Sequence, residues 1–145
     1  MLLELSAGMP FTLCLENLPV SFRNLTELER LISAIPGGSR FGICLDTGHL
    51  ALNHGDCAAF IRAAGPRLKA LHITDCVDCP AGEKHDHLLP TTGNIDWAAV
   101  IRALREVHYT GLFNFEVPRE RNVTEAIRYL KLEYSRRLAE ELLKL

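Results

Sequence analysis

Four side chains able to bind cations or move protons each stand at the end of a short apolar run. Glu16 ends FTLCLE, Asp46 ends FGICLD, His72 lies near the end of LKALHITD, and Glu116 ends GLFNFE. Each run has the length of a buried strand, and helix-like stretches separate them. A strand followed by a helix, four times over, is the rhythm of β/α units around a parallel sheet. In (β/α) barrels the loops after the strands converge on one face, at the strands' carboxyl ends. Three carboxylates and one imidazole at four successive strand ends are therefore expected to gather at one point. Three acids cannot all stay charged there without a cation between them. The chemistry this predicts is a divalent-metal centre. Three oxygens and one nitrogen suit a fairly hard ion such as Mn²⁺, Mg²⁺ or Co²⁺, with Zn²⁺ as the softer alternative. Four protein ligands leave about two positions of an octahedron open, enough for two adjacent oxygens of a small ligand.

The elements that must position these residues follow from periodicity and punctuation. Residues 2–9 read as the tail of a helix leading to Pro10. Asn24–Ile35 places Leu25, Leu28, Leu31, Ile32 and Ile35 on one helical face, with Asn24 as its cap. PGGS at 36–39 ends that helix and admits the second strand. Asp56–Ala64 is a further helix, closed by Gly65-Pro66, and Lys69–Thr74 is the third strand. Asp75–Asn94 is polar, rich in Pro, Gly and His, and aperiodic, the mark of a functional or disordered loop. Asp96–Val107 is a helix with Ile95, Val100, Ile101 and Leu104 as its apolar set. Gly111–Glu116 is the fourth strand, and an amphipathic helix spans roughly 124–145. Trp97 is expected in the core, and His54 and His108 on the surface.

Bulk properties bound the function. The chain has 145 residues, 48% of them hydrophobic and 23% charged, the make-up of a soluble globular protein. A net charge of -2 gives no bulk reason to expect nucleic acid or an anionic membrane as partner. No run is long enough to span a bilayer and the first residues lack a signal peptide's pattern, so a cytoplasmic location is the default. Five cysteines is an odd number, which argues against a disulfide framework. Cys14 and Cys44 read as small core residues. Cys76 and Cys79 form a CxxC followed by His85 and His87. A plain loop is the leading reading there, with a small zinc site or a redox pair behind it.

One domain, residues 1–145, is the expected organisation. A complete eight-unit barrel takes about 250 residues, however. Four units leave two open sheet edges and an uncovered apolar face, which invite pairing. Either two copies are expected to associate, or the chain is the C-terminal half of a longer protein.

Five segments together carry a family resemblance: LCLENLP around Glu16, GICLDTGHLAL around Asp46 and His49, LHITD around His72, DHLLPTTGNIDW around His87, and GLFNFEVP around Glu116. In this order and spacing they resemble the xylose isomerase-like TIM-barrel superfamily, which holds sugar phosphate isomerases and epimerases and endonuclease IV. The resemblance implies an α/β fold whose four β/α units are the last four of a (β/α)8 barrel. It implies that Glu16, Asp46, His72 and Glu116 match the family's single-metal ligand set, and that Glu16 and Glu116 match its acid/base pair. His49 matches a residue that contacts substrate, or that binds an additional metal in endonuclease IV. His87 matches a loop histidine in the same neighbourhood. The implied activity is a metal-dependent sugar or sugar phosphate isomerase or epimerase working through an enediolate, with a small sugar or polyol as partner. Pro90-Thr91-Thr92-Gly93 stands where the family often has Pro-x-Gly-Glu-Gly, so that loop lacks one glycine and one acid. Three other readings compete. A dehydratase of cyclic polyols uses similar parts. An endonuclease IV-like nuclease needs first-half histidines and a basic groove. A catalytically inactive fragment would bind a metal or partner without turnover.

Overall fold

The computed structural model describes residues 2–77, 87–116 and 122–145. Four strands, β1 (Cys14–Glu16), β2 (Gly42–Asp46), β3 (Leu68–Ile73) and β4 (Asn114–Phe115), form one sheet in the order β1-β2-β3-β4. Every pairing is parallel. The helices are α1 (Leu2–Leu5), α2 (Leu25–Ala34), α3 (Thr47–Leu52), α4 (Cys57–Ala64), α5 (Trp97–Glu106) and α6 (Glu125–Leu142), with short 3-10 turns at Gly38–Arg40 and Gly65–Arg67. Among the described residues no helix is long and apolar enough to cross a membrane.

The longer helices begin where side chains can satisfy their first N–H groups. Asn24, Asp56, Asp96 and Thr124 each accept a hydrogen bond from the backbone N–H three residues on. One face of each central helix is then buried: Leu28 and Ile32 from α2, Phe60 and Ile61 from α4, Val100, Ile101 and Leu104 from α5. They meet Ile43 and Leu45 of β2 and Leu71 and Ile73 of β3 in one core. Each such side chain contributes about 1.5–3 kcal/mol by leaving water.

The two sides of the sheet differ. In β3, Leu71 and Ile73 are buried against the helices, whereas the alternating Ala70 and His72 are only half-buried. The convex side is covered by helices; the concave side, where the chemistry-bearing residues point, is partly open. The first turns of α6 are also exposed, with Ile127, Tyr129, Leu130 and Leu132 in solvent.

Three expectations shift in detail. β1 and β4 are shorter than their apolar runs because each lies at a sheet edge and pairs on one side only. The opening helix is four residues long and stops at Leu5. A helix not expected from periodicity, α3, follows β2 directly: six residues are too few for an amphipathic repeat to show.

The ladder also sets how the strand ends line up. Glu16 pairs with Cys44, two residues before Asp46; Asp46 pairs with His72; His72 pairs with Asn114, two residues before Glu116. The four residues are thus offset by two, zero and two positions, a little over one per strand-to-strand step. A shear of about eight over eight strands requires about one per step. Tilted strands bring residues offset in this way to a common height along the barrel axis.

Candidate metal centre

Asp46 is the best-anchored of the four. It is fully buried at the end of β2 and caps α3, where its Oδ1 accepts from His49 N at 2.8 Å and from Thr74 Oγ1 at 3.1 Å. Its backbone is clamped by Asn17, whose Nδ2 donates to Asp46 O (3.0 Å) and whose Oδ1 accepts from Asp46 N (2.8 Å). Thr74 ties the third strand end to the same place. Its N–H donates to Thr47 Oγ1 (3.0 Å), the Thr47 hydroxyl donates to Thr74 O (2.5 Å), and Gly48 N donates to Thr74 Oγ1 (3.0 Å). Gly48 has to be glycine for this approach, since a Cβ there would stand 2.3 Å from Thr74 Oγ1. All these bonds leave Asp46 Oδ2 untouched.

Around that oxygen the other donors converge. Glu16, Asp46, His72 and Glu116 each present one ligand atom, and these atoms lie within 4.8 Å of one another. His72 Nδ1 is 3.1 Å from Glu16 Oε1 and 2.9 Å from Glu116 Oε2. These contacts lack hydrogen-bond geometry. Asp46 Oδ2, His72 Nδ1 and Glu116 Oε2 are buried atoms with no hydrogen-bond partner among the described residues. Buried polar atoms are normally satisfied, because an orphan costs about 1–3 kcal/mol. Three orphans aimed at one point fit a divalent cation, and a set of three carboxylates and one imidazole suits the harder ions.

The two remaining site candidates lie beside this set. His49 Nδ1 is 3.1 Å from Asn17 O, 3.5 Å from Glu16 Oε1 and 3.7 Å from Asp46 Oδ2. A carbonyl can only accept, so Nδ1 is the donor in the contact with Asn17 O. His87 meets His49 edge-on with ring centroids 5.3 Å apart, and its Nε2 is 3.6 Å from Glu116 Oε1. Asp46, His49 and His87 also each offer a ligand atom within 4.8 Å of the others. The expected CxxC is only half visible: Cys76 is buried, while Cys79 and His85 lie outside the described residues. His54 and His108 are exposed, and Trp97 is buried, as expected.

Sequence reasoning did not single out four residues that build the site's frame: Asn17, Thr47, Thr74 and Asp75. All four are fully buried. Asp75 ties down the long loop. Its carboxylate accepts from Cys76 N, Thr91 N, Ile95 N and Trp97 Nε1, and its backbone forms an antiparallel bridge with Leu88. Gly93 lets the loop close, since a Cβ would lie 2.2 Å from Cys76 O. The available signal was position: polar residues directly after a buried strand. Cys44, one layer below Asp46, has its thiol pushed up to about 12 by burial first, then by the Glu16 carboxylate.

A family model described as xylose isomerase-like TIM barrel matches residues 2–133. The chain belongs to that family. Within the family it is similar to the protein y4fM of Sinorhizobium fredii, 38% identical over 88 residues, or 61% of this chain and 27% of that one. It is also similar to D-psicose 3-epimerase of Enterocloster bolteae, 37% identical over 75 residues, or 52% of this chain and 22% of that enzyme. In fold it resembles D-psicose 3-epimerase from Clostridium cellulolyticum H10, solved with D-tagatose, with a TM-score of 0.73 at 18% identity. That match covers 97% of this chain and 52% of the solved one, so the chain spans about half the length of the structure. The four parallel strands therefore correspond to half of a xylose isomerase-like barrel, as the family resemblance implied.

Proposed function

We propose that this chain carries the divalent-metal centre and the acid/base pair of an isomerase or epimerase acting on a small sugar or polyol. The carrying observation is the trio of partnerless buried atoms, Asp46 Oδ2, His72 Nδ1 and Glu116 Oε2, at the meeting point of the strand ends. Glu16, Asp46, His72 and Glu116 would hold Mn²⁺, Mg²⁺ or Co²⁺, with Zn²⁺ as the alternative. When bound, the ion supplies positive charge beside an oxygen that gains negative charge as the neighbouring carbon loses its proton.

The chain's own residues do the rest. Glu16 and Glu116 approach His72 from strands on its two sides, so one carboxylate can take a proton from one side of a substrate and the other return one from the opposite side. Inversion at a carbon next to a carbonyl needs that two-sided arrangement. His49, with Nδ1 bound to Asn17 O, presents Nε2 to a substrate hydroxyl, and His87 stands beside Glu116 to orient the same ligand. The similarity to D-psicose and L-ribulose 3-epimerases supports this substrate class. A net charge of -2 and an acid-rich centre disfavour a nuclease.

The open concave side bears on turnover. Side-chain exposures of 27% for Glu16, 31% for His72 and 42% for Glu116 leave the ion site in contact with water. Together with the half-length match and the two edge strands, this supports covering of that side by four further strands. A second copy of the chain or polypeptide N-terminal to it would provide them.

The test is metal titration of the purified protein, its mass by light scattering, and proton exchange of a panel of ketoses in deuterated water with Glu16→Gln and Glu116→Gln as controls. Metal-dependent exchange lost in both variants is the expected result. Bound metal without exchange on any sugar favours the non-catalytic metal-binding reading, and failure to bind Mn²⁺, Mg²⁺, Co²⁺ or Zn²⁺ overturns the centre.

A further inference from the structure

Cys44 shares the inward face of β2 with Asp46, because side chains two apart on a strand point to the same side. Its ladder partner on β1 is Glu16, and on β3 it is Ala70, whose methyl leaves room beside the thiol. Cys44 is 4% exposed, so its sulfur is directed into the protein under the metal centre. Sγ of Cys44, a carboxylate oxygen of Glu16 and a ring nitrogen of His72 lie within 4.8 Å of one another. One soft donor thus sits against two members of the hard ligand set.

We propose that Glu16, Cys44 and His72 form a second, thiophilic cation site overlapping the centre, which takes Zn²⁺ or Cd²⁺ in competition with the harder ion. This rests on the metal-centre reading above. A thiolate, an imidazole and a carboxylate are the donors that zinc-like ions take in three-ligand sites, while Mn²⁺ and Mg²⁺ favour oxygen. Because Glu16 and His72 belong to both sets, the two ions exclude each other. On binding, the Cys44 S–H bond breaks, sulfur keeps the electron pair and donates it to the cation, and the proton passes to buffer. No oxidant is involved. The consequence is a centre whose occupancy reports the ratio of soft to hard cations, through a residue that needs no substrate contact.

Titration of the full-length chain with Cd²⁺ and, separately, with Mn²⁺ tests this. Cd²⁺ is expected to produce a thiolate-to-metal charge-transfer band in the ultraviolet and to release protons. The band should vanish in Cys44→Ser and Cys44→Ala and persist in Cys14→Ser. Cd²⁺ affinity should fall in the Cys44 variants by more than the roughly 10- to 100-fold that loss of a mere supporting partner costs, because Cys44 would be a direct ligand. Mn²⁺ affinity should hold. Two independent replacements guard against one of them misfolding, checked by circular dichroism. Stoichiometric Mn²⁺ binding with no Cd²⁺ band, or a band that survives loss of Cys44, overturns this proposal and leaves the hard centre standing. Binding of neither ion overturns both.

Discussion

His72 Nδ1 stands 2.9 Å from Glu116 Oε2, yet neither atom takes part in a hydrogen bond among the described residues. The contact is held by neighbouring strands through the His72–Asn114 register and the Glu116 N–H bond to Ile73 O. On the proposed metal reading, a cation bound here would link the strand ends that carry the carboxylates. Such binding would then raise stability.

Saturating Mn²⁺, at about 100 times its dissociation constant, should raise the melting temperature by roughly 5–10 °C over protein in chelator. Asp46→Asn removes one charge from the cluster while keeping an oxygen for the α3 cap. That variant should melt no lower than the parent in chelator and gain little from metal. Scanning calorimetry with and without the ion checks both halves. A full metal response in Asp46→Asn would remove Asp46 from the ligand set.

Asn17 should prove structural. Its amide closes both backbone groups of Asp46 in a fully buried place, so Asn17→Ala orphans a donor and an acceptor. The expected loss is about 2–4 kcal/mol in denaturant unfolding. Asn17→Asp should not rescue it, because a carboxylate cannot donate to Asp46 O and adds charge beside the cluster.

Asp75 should control the loop that carries His87. Asp75→Asn replaces an acceptor of four bonds with a group that places N–H hydrogens against donors. Trp97 is the one tryptophan in the chain and donates to Asp75. A shift of its emission with little change in circular dichroism is the expected signature, and an unchanged spectrum would mean the loop closes without Asp75.

Alkali should weaken the fold. Burial pushes the Cys57 thiol from 9.0 up to about 12, and burial does the same to the Tyr109 phenol, raising it from 10.0 to about 12. A group raised on folding contributes its full stability below its unfolded value and loses it as pH climbs through the folded one. For Cys57 the window runs from 9.0 to about 12. Urea midpoints measured across that window should fall, and Cys57→Ala should flatten part of the slope.

Much of this was legible in the chain. LKALHITD announces a strand with His72 facing one side, and Asn24, Asp56 and Asp96 announce helix starts, because caps and periodicity are local properties. The meeting of Glu16, Asp46, His72 and Glu116 was legible because parallel strands send their carboxyl ends to one edge. What stayed hidden is long-range. Asn17 bonds across 29 positions to Asp46 and Thr74 bonds across 27 to Thr47, and no spacing rule marks such pairs. α3 was hidden for another reason: its six residues are too few for an amphipathic repeat to show.

The alternation along each strand leaves the centre no tolerance for misalignment. Moving β1 by a single position would turn Leu15 or Asn17 inward in place of Glu16, and the cluster would lose an acid and gain an apolar or uncharged group. An ion seated between the strand ends would therefore act as a proofreader of assembly, rewarding one alignment of the sheet over its neighbours.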